Sequence, residues 1–97
     1  MERPFCIYIL TSNNSSVLYV GMTSDLKDRI FQHKEGFADG FTKRYRVHKL
    51  VYYELAESFD SALFREKQIK NYSRTKKMEL ITSVNPHWDD LYEKIQD

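Results

Sequence analysis

Two short runs rich in β-branched and aromatic residues, "PFCIYIL" at 4–10 and "VLYVG" at 17–21, flank the polar cluster "TSNNSS". Such runs around a polar turn specify a β-hairpin, because the branched and aromatic side chains suit a pleated, half-buried surface and the polar cluster suits a turn. The loop is longer than the tight two-residue type, so the sequence leaves the register open. With 97 residues the chain fits one domain, residues 1–97, and two separate cores would be very small. Hydrophobic residues make up 41% and aromatics 14%, enough to fill that core and to exclude a disordered chain. The single cysteine, Cys6, sits in an apolar run and cannot form an internal disulfide, which points to a buried, reduced thiol. No apolar run approaches the ~20 residues of a membrane span, and no signal-peptide pattern precedes Phe5, so a cytoplasmic protein is the default expectation.

After the hairpin, "TSDLKDRIFQHKEG" predicts a helix capped by Thr23 or Ser24, with Asp25 and Asp28 at its positive end. Leu26, Ile30 and, at the edge, Phe31 form its apolar face, and Gly36 ends it. "FADGFTKRY" has no clear period and reads as a loop, and "VHKLVYYEL" is a strong third strand. "SFDSALFREKQIKNY" predicts a helix opened by Ser58 or Asp60 with Ala62, Leu63, Phe64 and Ile69 inward, and Ser73 caps a following piece, "SRTKKMELI". In "NPHWDDLYEKI", Asn85 as cap and Pro86 at the first helical position predict a last helix, about 85–96, facing the core with Trp88, Leu91 and Ile95. The resulting order, β-β-α-β-α-α-α, is an α+β domain: a three-stranded antiparallel sheet flanked by helices.

The net charge of +1 hides an uneven distribution. Residues 65–77, "REKQIKNYSRTKK", hold Arg65, Lys67, Lys70, Arg74, Lys76 and Lys77 against one acid, Glu66, whereas the tail from Asp89 is mostly acidic. A basic stretch carrying Tyr72 suits phosphate contact and base stacking, and equally a solvated helix face. Glu66 among cations suits helical ion pairs, or a carboxylate that holds Mg²⁺ or Mn²⁺ while the cations hold a phosphate. Arg29 and His33, four apart on one helix, are either a surface pair or a phosphate clamp with a proton-transfer group. Tyr8 and Tyr19 are packing residues of the hairpin or members of a site.

Taken in order, "CIY" at 6–8, "YVG" at 19–21, "DLKDRIFQH", "LVYYE" and "ALFREKQIKNYSR" resemble the GIY-YIG nuclease domain over about residues 4–82. The pattern is similar to short stand-alone bacterial members and to the nuclease domain of the excision-repair incision subunit UvrC. The resemblance implies a metal-dependent endonuclease of DNA. Glu66 would bind one divalent cation, Mg²⁺ or Mn²⁺. One of Tyr8 and Tyr19 would orient or deprotonate water, Arg29 would bind the scissile phosphate, and His33 would accept a proton or touch the phosphate. Gly21 would allow close backbone approach. Methionine at 22 replaces the lysine of incision-type nucleases, and Met78 stands where they carry asparagine. An unperturbed phenol, with a pKa of ~10, is a poor base at neutral pH unless nearby positive charge lowers it. The alternatives are a non-cleaving nucleic-acid binding module and a protein-interaction domain using the Trp88-bearing tail. A protein partner for targeting is compatible with each.

Overall fold

A computed structural model describes residues 4–36 and 40–95. The hairpin forms as the sequence requires. Strand β1 (Phe5–Thr11) pairs antiparallel with β2 (Leu18–Thr23), Tyr8 lying opposite Gly21 and Leu10 opposite Tyr19. Ser12 closes the loop: its hydroxyl accepts from the amides of Ser16 and Val17. Strand β3 (Lys49–Ala56) adds to the other side of β1, giving the order β2-β1-β3 with every pairing antiparallel.

β1 is central and buried on both faces, which is why its sequence is apolar without alternation. Cys6, Tyr8 and Leu10 face a cluster containing Leu26, Ile30, Val47 and Leu50. Ile7 and Ile9 face the opposite cluster with Val20, Val51, Tyr52, Ala62, Ile69 and Ile81. The β1–β3 register shifts between Ile9 and Leu10, leaving Val51 as an extra residue. That bulge puts Val51 and Tyr52 on one face while Leu50 keeps the other, something strict alternation forbids.

Helix α1 (Leu26–Lys34) lies on the Tyr8 face and helices α3 (Phe59–Lys70) and α4 (Arg74–Val84) on the Ile7 face. The cap of α1 is Asp25, whose carboxylate accepts from the Asp28 amide, while the Thr23 hydroxyl accepts from the Asp25 amide one turn earlier. The cap expected at Thr23 or Ser24 is thus displaced to Asp25. Gly36, at φ +76°, follows α1 in the left-handed region that favours glycine. Ser58 caps α3 in a reciprocal box with Ser61, and Ser73 caps α4. Ala62 and Ile69 are buried as expected and Leu63 is half-buried, but Phe64 is 71% exposed: it lies off the 62–66–69 stripe that faces the sheet.

Two further expectations are corrected. Part of "FADGFTKRY" is a short helix, α2 (Gly40–Tyr45); residues 37–39 lie outside the described residues. The last helix is absent: after Val84 the chain passes through a turn at Pro86 and His87 and an irregular stretch to a three-residue 3₁₀ turn at Tyr92–Lys94, and residue 96 lies outside the described residues. Asn85 caps the end of α4 instead. Its buried amide donates to the carbonyls of Val51 (2.9 Å) and Asp89 (3.0 Å) and its Oδ1 accepts from the Asp89 amide. The Leu91 amide donates to the Leu50 carbonyl at 2.8 Å, and the Asp90 carboxylate accepts from Leu50 N. The segment therefore binds β3 as a strap. Trp88 packs on one face of the sheet, and Leu91, Tyr92 and Ile95 on the other. None of these side chains is left as the exposed docking stripe an interaction tail needs. No helix among the described residues is long and apolar enough to cross a membrane.

Candidate active site

The site is built first from β1. Strand alternation sends Tyr8 to the α1 face, where it is only 2% exposed, and its phenol then needs a partner. Helix α1 supplies one. Leu26, Ile30 and His33, at helical spacing, form its buried stripe, and His33 Nε2 lies 3.0 Å from Tyr8 Oη. The other ring nitrogen, Nδ1, lies 3.0 Å from Thr42 Oγ1 on α2. The buried line Tyr8–His33–Thr42 thus ties β1, α1 and α2 together. Which nitrogen carries the proton follows from the direction in which the two hydroxyls donate.

Tyr19, half-buried on β2, completes the group. Its ring centroid is 6.4 Å from Tyr8 and 5.7 Å from His33. Gly21 has a specific reason to lack a side chain: a Cβ there would come within 2.5 Å of Tyr8 Cζ and Oη. The sequence assigned that space to an approaching backbone; the structure assigns it to the Tyr8 ring.

Arg29 and His33 do not form the expected surface pair. His33 turns into the core at 4% exposure, whereas Arg29, beside Ile30 on the helix, is exposed. Glu66 stands on α3, which covers the opposite sheet face and packs against both β1 and β2. No hydrogen bond, ion pair or ring contact joins Arg29 or Glu66 to the tyrosines among the described residues. The edge strand β2 is the common element: Tyr19 lies on its one face, and α3 lies against the other.

Does Glu66 fit a divalent cation? Its side chain is 14% accessible, and its ion pair, from Oε2 to Lys70 Nζ, is long at 3.6 Å, which ties the carboxylate only weakly. The described residues contain no group of three His, Cys, Asp or Glu suited to a metal. The donor set therefore fits a hard cation held by one carboxylate, water and a substrate phosphate, the usual manner of Mg²⁺, and does not fit a protein-enclosed ion.

The basic segment divides. Arg65 donates to Glu54 Oε1 at 3.0 Å and to Tyr72 Oη at 3.1 Å. Burial opposes its charge, but these partners outweigh it and raise its pKa. Arg74 donates to the Ser15 carbonyl at 2.8 Å, and Lys76 Nζ lies 4.1 Å from the Tyr72 ring centroid. Lys67 is exposed and Lys77 half-buried. Two of the six cations thus brace the fold by hydrogen bonds. Tyr52, which donates to Glu54, is pushed up to about 12 by burial and by that carboxylate, so it stays a neutral structural phenol. Burial also pushes the Cys6 thiol up. Met22 is half-buried on the apolar Ile7 face, and Met78 is exposed on α4. A cleft of about 880 Å³ opens between Cys6, the first turn of α1 and Tyr92, but none of Tyr8, Tyr19, His33 or Glu66 lines it.

Sequence reasoning missed Thr42 and the aromatic residues Phe41 and Tyr45 of α2. Phe41 stacks on Tyr19 at 6.0 Å and Tyr45 lies 4.9 Å beyond it. The hint available was "GFTKRY" itself, two aromatics among cations.

Residues 4–79 match the family model described as the GIY-YIG catalytic domain. The chain is 41% identical over 76 residues to the UPF0213 protein SSP2268 of Staphylococcus saprophyticus, covering 78% of this chain and 92% of that one. It is 40% identical over 75 residues to the UPF0213 protein SAV0488 of Staphylococcus aureus, covering 77% and 90%. It also resembles the solution NMR structure of the UPF0213 protein BH0048 from Bacillus halodurans, with a TM-score of 0.57 and 26% identity over 97% of this chain and 99% of that one.

Proposed function

The chain belongs to the GIY-YIG catalytic domain family and so has a nuclease-type fold, and from that premise we propose that it hydrolyses phosphodiester bonds in DNA with one divalent cation on Glu66. The observation that carries the reading is the buried Tyr8–His33–Thr42 line beside a half-exposed Tyr19. A buried histidine within hydrogen-bond reach of a phenol is an expensive arrangement for packing alone, since each polar group must lose water.

The burial pattern divides the roles. Tyr19, the more accessible phenol, faces the attacking water. Tyr8, enclosed, fixes His33 and takes part in proton movement through Nε2. His33 has both nitrogens engaged and lies 4% exposed, so it serves as a proton acceptor behind the phenols and not as a phosphate contact. Arg29, exposed on the same helix, grips the phosphate, where a guanidinium offers paired donors. Glu66 would hold the divalent cation, which when bound would supply positive charge to offset that developing on the phosphate and to acidify a nearby phenol or water. Lys67, Lys70 and Lys77 add positive potential along the flanking backbone.

Incubation with a panel of nicked, flapped, single-stranded and duplex DNAs tests this. Cleavage in Mg²⁺ or Mn²⁺ that EDTA stops is expected; an intact panel in both metals refutes it. Met22, whose side chain packs among apolar residues where incision nucleases carry lysine, favours one second reading: a module that binds nucleic acid without cutting it. Salt-sensitive binding indifferent to EDTA, with no cleavage, would select that reading.

A further inference from the structure

The ring cluster does not end at the tyrosines. It continues through Phe41, stacked on Tyr19 with an interplanar angle of 28°, to Tyr45. Phe41 is 46% exposed and Tyr45 45%. Half-exposed aromatic rings in series are unusual on a small domain, because burying them is worth more than leaving them in water. Their surroundings are cationic. Lys43, Arg44 and Arg46 lie within or just after α2, with the Arg44 guanidinium 5.5 Å from the Tyr45 ring centroid. From Gly40 to Tyr53 the sequence carries no carboxylate. None of the three cations makes an ion pair with a described residue. Half-exposed rings beside cations that have no ion-pair partner among the described residues match one chemistry: a nucleobase attached to an anionic backbone. A duplex hides its base faces, so the match is to an unpaired nucleotide.

We propose that Phe41 and Tyr45, with Lys43, Arg44 and Arg46 around them, form a base-stacking platform that seats an unpaired base of single-stranded nucleic acid next to Tyr19. The platform rests on the nuclease reading for its purpose, though not for its existence. A strand whose base stacks on Phe41 lies beside Tyr19, whose ring centroid is 6.0 Å from that of Phe41. The substrate class is then nucleic acid with a single-stranded stretch, such as a flap, bubble or end, and not continuous duplex.

Fluorescence anisotropy in EDTA separates this from cleavage. The probes are labelled pyrimidine strands of roughly 12 nucleotides, one DNA and one RNA, and a DNA duplex of the same length. Phe41→Ala with Tyr45→Ala is expected to weaken single-strand binding by about ten-fold or more, the scale of lost base–aromatic stacking, and to change duplex binding little. The DNA and RNA arms show which sugar the platform accepts. Tyr45→Trp keeps a stacking ring and should bind as well as the parent, with indole emission quenched by single strands and not by duplex; this variant decides the matter if the alanine pair fails to fold. Unchanged single-strand affinity in the alanine pair, equal loss for duplex, or no selective quenching of the tryptophan variant overturns the platform. Selective loss without any cleavage by the parent protein would uphold it while removing the catalytic reading.

Discussion

The two faces of the sheet are built to different rules. The Ile7 face is closed by apolar side chains, Ile9, Val20, Val51, Ala62, Ile69 and Ile81, with the Tyr52 phenol handed to Glu54 at its margin. The Tyr8 face buries a phenol, an imidazole and a hydroxyl in one line, and grades outward through Tyr19 to exposed rings. Packing alone would favour the first design everywhere, because each buried polar group costs free energy unless it is paired. Under the proposed function, the polar line belongs to the catalytic face. Glu66 is the exception that joins them: a partly open carboxylate carried by a helix of the packing face.

That contrast breaks first on the packing face. Ile69→Ala or Ile81→Ala, each removing a fully buried side chain, should cost about 2–5 kcal/mol in urea unfolding, while survivors keep their nucleic-acid affinity. Equal loss of affinity would mean the faces are not functionally distinct.

On the Tyr8 face the costs are smaller and coupled. Tyr8→Phe leaves His33 Nε2 without its phenol and should destabilise by ~1–3 kcal/mol. Combined with His33→Leu, the double variant should lose less than the sum of the singles. Additive losses would deny the line its unity. Gly21→Ala drives a methyl into the Tyr8 ring and should cost ~1–3 kcal/mol. In a Tyr8→Ala background that cost should largely vanish. A penalty independent of residue 8 would place the strain elsewhere.

The smallest effect belongs to the strap. Asp90 pairs with Lys34 at 2.6 Å, next to His33 on α1. Partial burial alone would raise its pKa, but the hydrogen bonds from Lys34 and from the Tyr92 and Leu50 amides hold the carboxyl below its ordinary value. Its contribution is therefore complete above the unfolded carboxylate value of ~3.9 and disappears as pH falls through the lower, folded value. Asp90→Asn should cost no more than about 1 kcal/mol at neutral pH, and that difference should close in acid. A gap that persists at pH 2 would show the strap held by other means.

How much of this was legible beforehand depends on range. The hairpin, the third strand and the two capped helices after it follow from local pattern, because apolar runs and Ser58 and Ser73 act within a few residues. The strap did not. "NPHW" carries a good local start signal, yet Asn85 spends its side chain on Val51 and Asp89, and Leu91 takes a backbone partner in β3. Long-range bonds outweighed local propensity. At the site, Tyr8, Tyr19 and His33 were readable by motif and do meet. Thr42 was not, since nothing local marks a threonine that answers a histidine nine residues earlier. The burial that separates His33 from Arg29 was hidden as well, because spacing gives a helix face only to within a residue.

The central claim is that Glu66 and Tyr19 serve one cation across the edge of β2. Titration of the isotope-labelled protein with Mn²⁺, followed residue by residue by NMR line broadening, tests it directly. Broadening that centres on Glu66 and extends to Tyr19 and Gly21, and that Glu66→Gln abolishes, is the predicted result. Broadening confined to α3 with Tyr19 untouched, or spread evenly over the surface carboxylates, would contradict it.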